Sequence, residues 1–188
     1  MSDMVATYSF ISQVNVGSSY EGRVINALKL TRGISQKPQF VIDCGLHSRE
    51  WVAPASCLQA LAEAPAGSAE YNILNAIEIY VIPIANPDGY VYTWSDDRMW
   101  RKTRSDNGKF CLGVDPNRNW DINWSDVASG SSADYVYNMG VKCSFAAELR
   151  DTGRYGFTLP ERFIQPTAEE TFAGLMVIAD AVAGNQCA

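Results

Sequence analysis

The sequence predicts an α/β fold, and three observations lead to this prediction. Apolar runs of strand length occur at 24–30, 39–43, 77–84 and 143–147. Two of them, 39–43 and 77–84, are almost continuously apolar, as expected of strands buried on both faces of an α/β sheet. Segments with helical features lie between these runs and after the last of them.

Three helices are predicted. Residues 54–64 indicate a helix with Pro54 in its first turn, and residues 68–76 indicate a second, shorter helix. The last helix is predicted to begin at Thr167, because Glu170 follows three residues later as in a capping box. Its apolar face is marked by Phe172, Leu175, Met176, Ala179 and Val182.

The composition is that of an ordinary globular domain. The chain has 188 residues, of which 47% are hydrophobic and 19% charged, enough for one domain with a real core. The net charge of −6 argues against nucleic acid, whose binding needs clustered Lys and Arg. No apolar run reaches the ~20 residues of a membrane span. Residues 1–8 lack the basic and apolar regions of a signal peptide.

Five cysteines leave at least one thiol unpaired, and none has the Cys-x-x-Cys spacing of a metal site. Cys44 and Cys143 lie in apolar runs and are predicted to be buried thiols rather than halves of disulfides. The cysteines therefore do not indicate whether the chain resides in a reducing or an oxidising compartment.

Two polar segments begin within four residues of the ends of predicted strands. His47-Ser48-Arg49-Glu50 follows 39–43 and contains the only histidine of the chain. Open α/β sheets place their sites at such strand ends, yet this pair taken alone favours an ordinary exposed turn. Asn86-Pro87-Asp88-Gly89 follows 77–84 and predicts a tight turn.

Six segments, in order and spacing, resemble the zinc metallocarboxypeptidase family of carboxypeptidases A and B. They are 17–25 (GSSYEGRVI), 45–51 (GLHSREW), 86–90 (NPDGY), 98–104 (RMWRKTR), 114–120 (VDPNRNW) and 148–157 (ELRDTGRYGF). The resemblance implies one catalytic domain over 1–188, with a mixed, mostly parallel sheet and helices on both faces. It also implies a secreted monomer that acts on peptide or protein C-termini.

The resemblance implies one zinc ion bound by His47 and Glu50. Glu148 would be the general base acting on the zinc-bound water. Arg101 would stabilise the developing oxyanion; the alternative for Arg101 is a solvated surface charge.

The same resemblance implies a substrate site. Asn117 and Arg118 would bind the C-terminal carboxylate, since a guanidinium matches a carboxylate with two prongs. Surface solvation is the alternative for Arg118. Ala133 aligns with the residue that selects the terminal side chain. Its small apolar side chain provides no counter-charge for Lys or Arg, which favours aliphatic or aromatic termini.

The chain departs from the family pattern after about residue 121, where a long block is missing. In the family that block carries the second zinc histidine, a central strand and a mobile tyrosine, whose aligned position here is Asp126. Because His47 is the only histidine, the zinc site is expected to be incomplete. Cys111 resembles a cysteine whose disulfide partner lies in the missing block.

Three functions remain open at this point. The first is a working zinc exopeptidase with Asp121, Asp126 or water completing the metal site. The second is an inactive binder that keeps carboxylate recognition through Asn117 and Arg118. The third is a truncated chain without a stable native state. Zinc binding through His47 and Glu50 is expected to be weak. The missing strand is expected to leave an unpaired apolar edge at the strand of Val41 or of Phe145.

Overall fold

The computed structural model describes residues 1–33, 36–63, 69–106, 108, 111–122 and 130–187. The strands are β1 (Ile11–Ser18), β2 (Val24–Leu30), β3 (Gln39–Asp43) and β4 (Glu78–Ile82). The α-helices are α1 (Ser2–Thr7), α2 (Val52–Glu63), α3 (Pro87–Ser95), α4 (Ser132–Asn138) and α5 (Ile164–Ala183). Two 3₁₀ helices span Ala69–Asn75 and Glu161–Phe163. None of the described helices is long and apolar enough to cross a membrane.

The four strands form one mixed sheet in the order β1-β2-β4-β3. β3 is parallel to β4, while β1–β2 and β2–β4 are antiparallel. The α/β fold and the mixed sheet are confirmed. Among the described strands, however, two pairings are antiparallel and one is parallel. The mostly parallel sheet was expected from the family resemblance, whose sheet includes the strand of the missing block.

The core lies on one face of the sheet. Leu28, Leu30, Ile79 and Val81 point to this face and are nearly fully buried. Both α2 and α5 pack there, and they line an apolar pocket together with Phe40 and Ile42 of β3. The predicted apolar face of α5 is confirmed, because Phe172, Leu175, Met176 and Ala179 line the same pocket.

The opposite face of the sheet is polar. Lys29 forms an ion pair with Glu78 at 2.9 Å, and the Tyr80 hydroxyl donates to Glu78. On β3 the side chain of Val41 is 56% exposed. The prediction that β3 is buried on both faces is therefore wrong, because the described helices that cover the sheet, α2 and α5, share one face.

Local periodicity located some strands better than others. β2 and β3 have the predicted limits, and β4 is shorter at both ends than 77–84. The predicted strand at 143–147 is absent from the structure, and Phe145 is 66% exposed. A strand needs a hydrogen-bonded neighbour, and no described strand pairs with this segment.

The helix limits also differ from the predictions. α5 begins at Ile164, so Thr167 lies inside the helix, buried, with its hydroxyl donating to the Phe163 carbonyl at 2.6 Å. The capping box prediction is wrong because the Glu161–Phe163 turn leads directly into α5. α2 starts two residues before Pro54, which stays in its first turn. The predicted helix 68–76 is the 3₁₀ helix Ala69–Asn75.

Asn86 begins a helix instead of an isolated turn. Its side-chain oxygen accepts a hydrogen bond from the Gly89 N–H at 3.0 Å and so caps the N-terminus of α3. Asp88, in the first turn of α3, accepts hydrogen bonds from Ser19, the Glu21 N–H and Arg23. These contacts fix the β1–β2 turn against α3.

The Asp88 carboxylate is almost fully buried. Burial by itself raises the pKa of Asp88, but the hydrogen bonds from Ser19, Glu21 and Arg23 outweigh it and hold the pKa below its usual range.

The cysteines correct a further prediction. Cys44 is bonded to Cys57 of α2, and Cys143 is bonded to Cys187. Cys44 and Cys143 are therefore halves of disulfides, not free thiols, because an apolar environment suits either state and sequence spacing does not reveal which cysteines meet. Cys111 is free and exposed.

Removing the Cys143–Cys187 bridge should lower the free energy of unfolding. The bridge joins residues 44 positions apart, for which the loop-entropy estimate is about 4 kcal/mol. Denaturant unfolding of Cys143→Ser/Cys187→Ser without reductant should show most of this loss. Cys111→Ser is the matched control, and equal stability of the double variant and the control would contradict the bridge.

The stability of the chain should fall in acid partly through Asp88. Its pKa is lower in the folded than in the unfolded chain, so its ionised form stabilises the fold above about pH 3.9. That contribution disappears as the pH falls through the folded pKa. Melting temperatures from neutral pH to about 3 should fall less steeply for Asp88→Asn than for the wild type. Asp3→Asn, an exposed position in α1, should keep the wild-type slope; identical slopes for both variants would refute the assignment.

Candidate active site

His47 lies in the loop that follows the carboxyl end of β3. The Cys44 N–H donates to Ile82 of β4, which extends the parallel pairing by one residue. Gly45 then reverses the chain with a φ of +64°. A Cβ there would lie 3.2 Å from the Pro83 carbonyl oxygen, so this turn both requires positive φ and leaves no room for a side chain.

The loop that holds His47 is fixed to the segment around Arg101. Ser48 donates through its N–H to the Arg101 carbonyl at 3.3 Å and through its hydroxyl to the Trp100 carbonyl at 2.7 Å. The Asn86 amide bridges the two segments, donating to the carbonyls of Leu46 and Lys102 at 3.3 and 3.0 Å. Arg101 is therefore placed beside His47 by backbone contacts.

The His47 ring lies between two carboxylates. Its Nδ1 is 3.0 Å from Glu50 Oε1, and its Nε2 is 3.1 Å from Asp115 Oδ1. The side chain is mostly buried, at 11% exposure. Histidines that bind metals usually give their second ring N–H to a carboxylate, which fixes the tautomer. Asp115 occupies that supporting position and leaves Nδ1 facing Glu50.

Arg101 connects the two carboxylates. Its Nε donates to Asp115 Oδ2 at 3.0 Å, and its Nη1 lies 3.5 Å from Glu50 Oε1. Burial by itself raises the pKa of Asp115, but hydrogen bonds from the Asn117 N–H, Arg101 and His47 outweigh it and lower that pKa overall. Asp115 is accordingly held as an anion.

The predicted carboxylate-binding pair follows Asp115 in the chain. The Asn117 N–H donates to Asp115 Oδ1 at 2.9 Å, and the Asn117 side-chain oxygen accepts from the Ser132 N–H at 3.2 Å. Ala133, half-buried, is the next residue of α4. The structure thus brings Asn117 and the predicted selectivity residue together.

Arg118 is exposed, and its Nη1 donates to the Asn117 carbonyl at 2.6 Å. Among the residues that the structure describes, it has no carboxylate partner. Gly130 packs on the same segment with a φ of +75°, and a Cβ there would lie 2.8 Å from the Arg118 carbonyl oxygen. This close packing keeps the Arg118 backbone in place.

Within the described residues, Glu148 makes no hydrogen bond or ion pair with His47. Its side chain is exposed and makes no hydrogen bond or ion pair within the described ranges. The residues after it are held nearby: Arg98 donates to the carbonyls of Arg49 and Phe157, and the Arg49 guanidinium lies 3.9 Å from the centre of the Phe157 ring. The segment that carries Glu148 is therefore tied to the His47 loop through Phe157.

A zinc ion fits these residues only in part. His47 Nδ1 and Glu50 Oε1 would be two ligands, and Asp115 lies where a supporting carboxylate would hold the ring. A catalytic zinc takes three protein ligands. In the described part of the chain no group of three or more His, Cys, Asp or Glu side chains is arranged to hold a metal. Asp126 lies outside the described residues.

Sequence reasoning missed Asp115, Asn86 and Ser48. Asp115 could have been found, because a ligand histidine calls for a carboxylate on its second nitrogen and Asp115 directly precedes the predicted substrate residues. Asn86 and Ser48 act through contacts to backbone carbonyls distant in sequence, and no local pattern signals those.

The chain matches known proteins over nearly its whole length. The family model described as zinc carboxypeptidase matches residues 1–129 and 125–174. Carboxypeptidase A2 of Mus musculus is 33% identical over 272 residues, covering 92% of this chain and 65% of that protein. Carboxypeptidase B of Astacus astacus is 33% identical over 282 residues, covering 96% and 93%. Both alignments exceed the 188 residues of this chain, so both relatives contain residues without a counterpart here.

Solved structures agree with this result. Bovine thrombin-activatable fibrinolysis inhibitor, in complex with tick carboxypeptidase inhibitor, superposes with a TM-score of 0.87 at 27% identity, covering 98% of this chain and 94% of that one. Carboxypeptidase A from Helicoverpa armigera, at 23% identity and a TM-score of 0.85, covers 97% and 71% and supports the fold alone. From the family match and these relatives, the chain belongs to the zinc carboxypeptidase family.

Proposed function

We propose that this chain binds the free C-terminal carboxylate of peptides through Asn117 and Arg118 and hydrolyses them poorly or not at all. The observation that carries the proposal is the contrast between the carboxylate-binding pair, Asn117 and Arg118, and the metal site of His47 and Glu50. Arg118 is an exposed cation without a described acidic partner, next to the helix of Ala133. In the described residues no third metal ligand joins His47 and Glu50, and the exposed Glu148 makes no hydrogen bond or ion pair with them.

We propose further that the chain lacks an internal segment after about residue 121. Two observations support this. The family match falls into two parts that meet at residues 125–129, and the alignments with relatives are longer than the chain. The chain also spans only 65% of the mouse relative. On this proposal the missing zinc ligand and the open edge of β3 have a single origin.

Carboxylate recognition requires little beyond the segment that is present. A guanidinium offers two parallel N–H donors that match a carboxylate, and Arg118 is held by Asn117 and by the packing of Gly130. The terminal side chain would lie towards Ala133, which has no charge and little volume. This supports a preference for apolar termini over Lys or Arg.

A zinc exopeptidase is the second candidate, and one observation favours it. His47, Glu50 and Asp115 already have the relation of ligand, ligand and supporting carboxylate. Bound zinc would activate a water molecule for attack on the peptide bond. On this candidate Glu148→Gln and a chelator should each abolish any peptidase activity, whereas activity that survives both would come from another protein.

Two disulfides within the described residues support a location outside the reducing cytosol. We propose that the chain is extracellular. To test this proposal, the chain is expressed in a cytosolic and in an oxidising compartment, and the thiols of the unfolded protein are titrated. Four additional reactive thiols in a cytosolic product that folds and binds peptide would argue against it.

Peptides ending in Phe or Leu should bind as free acids and not as amides. Because a hydrogen bond to a charged group contributes about 1.5–3 kcal/mol, Arg118→Ala should weaken binding on the order of ten- to a hundred-fold. Isothermal titration with paired acid and amide peptides measures this. Arg154→Ala, at another exposed arginine, should bind like the wild type. Equal affinity for acid and amide would refute the proposal.

Zinc should bind weakly. Loss of a supporting residue alone costs roughly 10–100-fold in metal affinity, and a missing direct ligand should cost at least as much. Elemental analysis after gel filtration should therefore give well under one zinc per chain. A stoichiometric zinc that resists chelators, and that is lost in His47→Ala, would favour the exopeptidase instead.

A further inference from the structure

Among the described residues, one edge of the sheet has no neighbouring strand and is regular. β3 pairs with β4 only, and no described strand lies on its other side. The opposite edge strand, β1, has a bulge between Asn15 and Gly17, a device that disfavours pairing with another strand. β3 shows no such irregularity in its register with β4.

The hydrogen-bonding groups on the open edge can be assigned by parity. Pro38 accepts from Glu78, and the Cys44 N–H donates to Ile82, so even-numbered residues of this strand face β4. N–H and C=O groups of successive strand residues alternate in direction. Gln39, Val41 and Asp43 therefore direct their backbone groups away from β4, towards the open edge.

We propose that this edge pairs with β3 of a second copy of the chain, antiparallel and centred on Val41. In this register Val41 lies opposite Val41 of the second copy, and Gln39 lies opposite Asp43. The outward groups of these three residues would form about six backbone hydrogen bonds between the copies. This pairing is independent of peptide binding at Arg118.

The side chains are complementary in the same register. The Gln39 amide can donate to the Asp43 carboxylate, and the two Asp43 side chains stay apart, since like charges directly opposite each other destabilise a sheet. On the other face Phe40 lies opposite Ile42. Both line the apolar pocket between the sheet, α2 and α5, so the pairing continues an apolar surface across the two-fold axis. Val41, 56% exposed in one copy, would meet its counterpart on the polar face.

In this pairing the chain is a symmetric dimer, whereas the family resemblance implies a monomer. A closed two-fold pairing also uses up the edge and so limits further growth. A segment from elsewhere in the chain, such as residues 143–147, is the competing occupant, and it would leave the protein monomeric.

Sedimentation velocity of the full chain over a wide concentration range tests the proposal. The wild type should be a concentration-dependent dimer, and Val41→Lys and Val41→Glu should each be monomeric, because like charges would meet at the centre of the pairing. An equimolar mixture of the two variants should regain the dimer, which also demonstrates that both are folded. Val16→Lys, at an exposed valine of β1, should leave the dimer unchanged.

The other outcomes overturn the proposal. A monomeric wild type at all concentrations means that the edge is covered within the chain or remains unpaired. A dimer or larger aggregate that persists in Val41→Lys means association through another surface. If the mixture of the two charge variants stays monomeric, the antiparallel register centred on Val41 is wrong.

Discussion

The parallel pairing of β3 with β4 is the constraint on which both the core and the candidate site depend. The carboxyl ends of the two strands lie side by side, so the His47 loop and Asn86 leave the sheet at neighbouring points. Asn86 then holds both the His47 loop and the segment of Arg101. On the other side of the same pairing, Phe40, Ile42, Ile79 and Val81 form the surface that α2 and α5 cover.

Features set by local sequence were predictable. The limits of β2 and β3, the helix around Pro54 and the apolar face of α5 follow from periodicity and from short-range sterics. Features set by distant partners were not. Residues 143–147 have the composition of a strand but lack a neighbour, and Cys143 pairs with Cys187 through a tertiary contact. The start of α5 was misplaced because Thr167 has the chemistry of a cap but a buried position inside the helix.

The candidate site divides in the same way. His47 and Glu50 are three residues apart, and Asn117 and Arg118 are adjacent, so short segments are enough to place each pair. Glu148 lies in a segment that is attached through contacts distant in sequence, among them the Cys143–Cys187 disulfide, the Arg150–Glu170 ion pair and the Arg98 hydrogen bond to the Phe157 carbonyl. The short-range pairs are therefore predictable from single loops, whereas the position of Glu148 depends on contacts distant in sequence. The family resemblance supplied the roles of these residues, and the geometry decides which of them are assembled.

The distribution of tryptophan has a consequence for spectroscopy. Trp51 follows Glu50 directly and stacks on the exposed Trp94 with ring centres 4.2 Å apart, beneath the Arg98 guanidinium. The Trp100 carbonyl accepts a hydrogen bond from the Ser48 hydroxyl, and the Trp120 ring contacts the Tyr135 ring of α4. No tryptophan belongs to the buried cluster over the sheet in the described residues. Emission from the four described tryptophans therefore reports on α3 and the segments around the site, and circular dichroism reports on the sheet and helices, so the two optical signals separate loosening of the site from loss of the core.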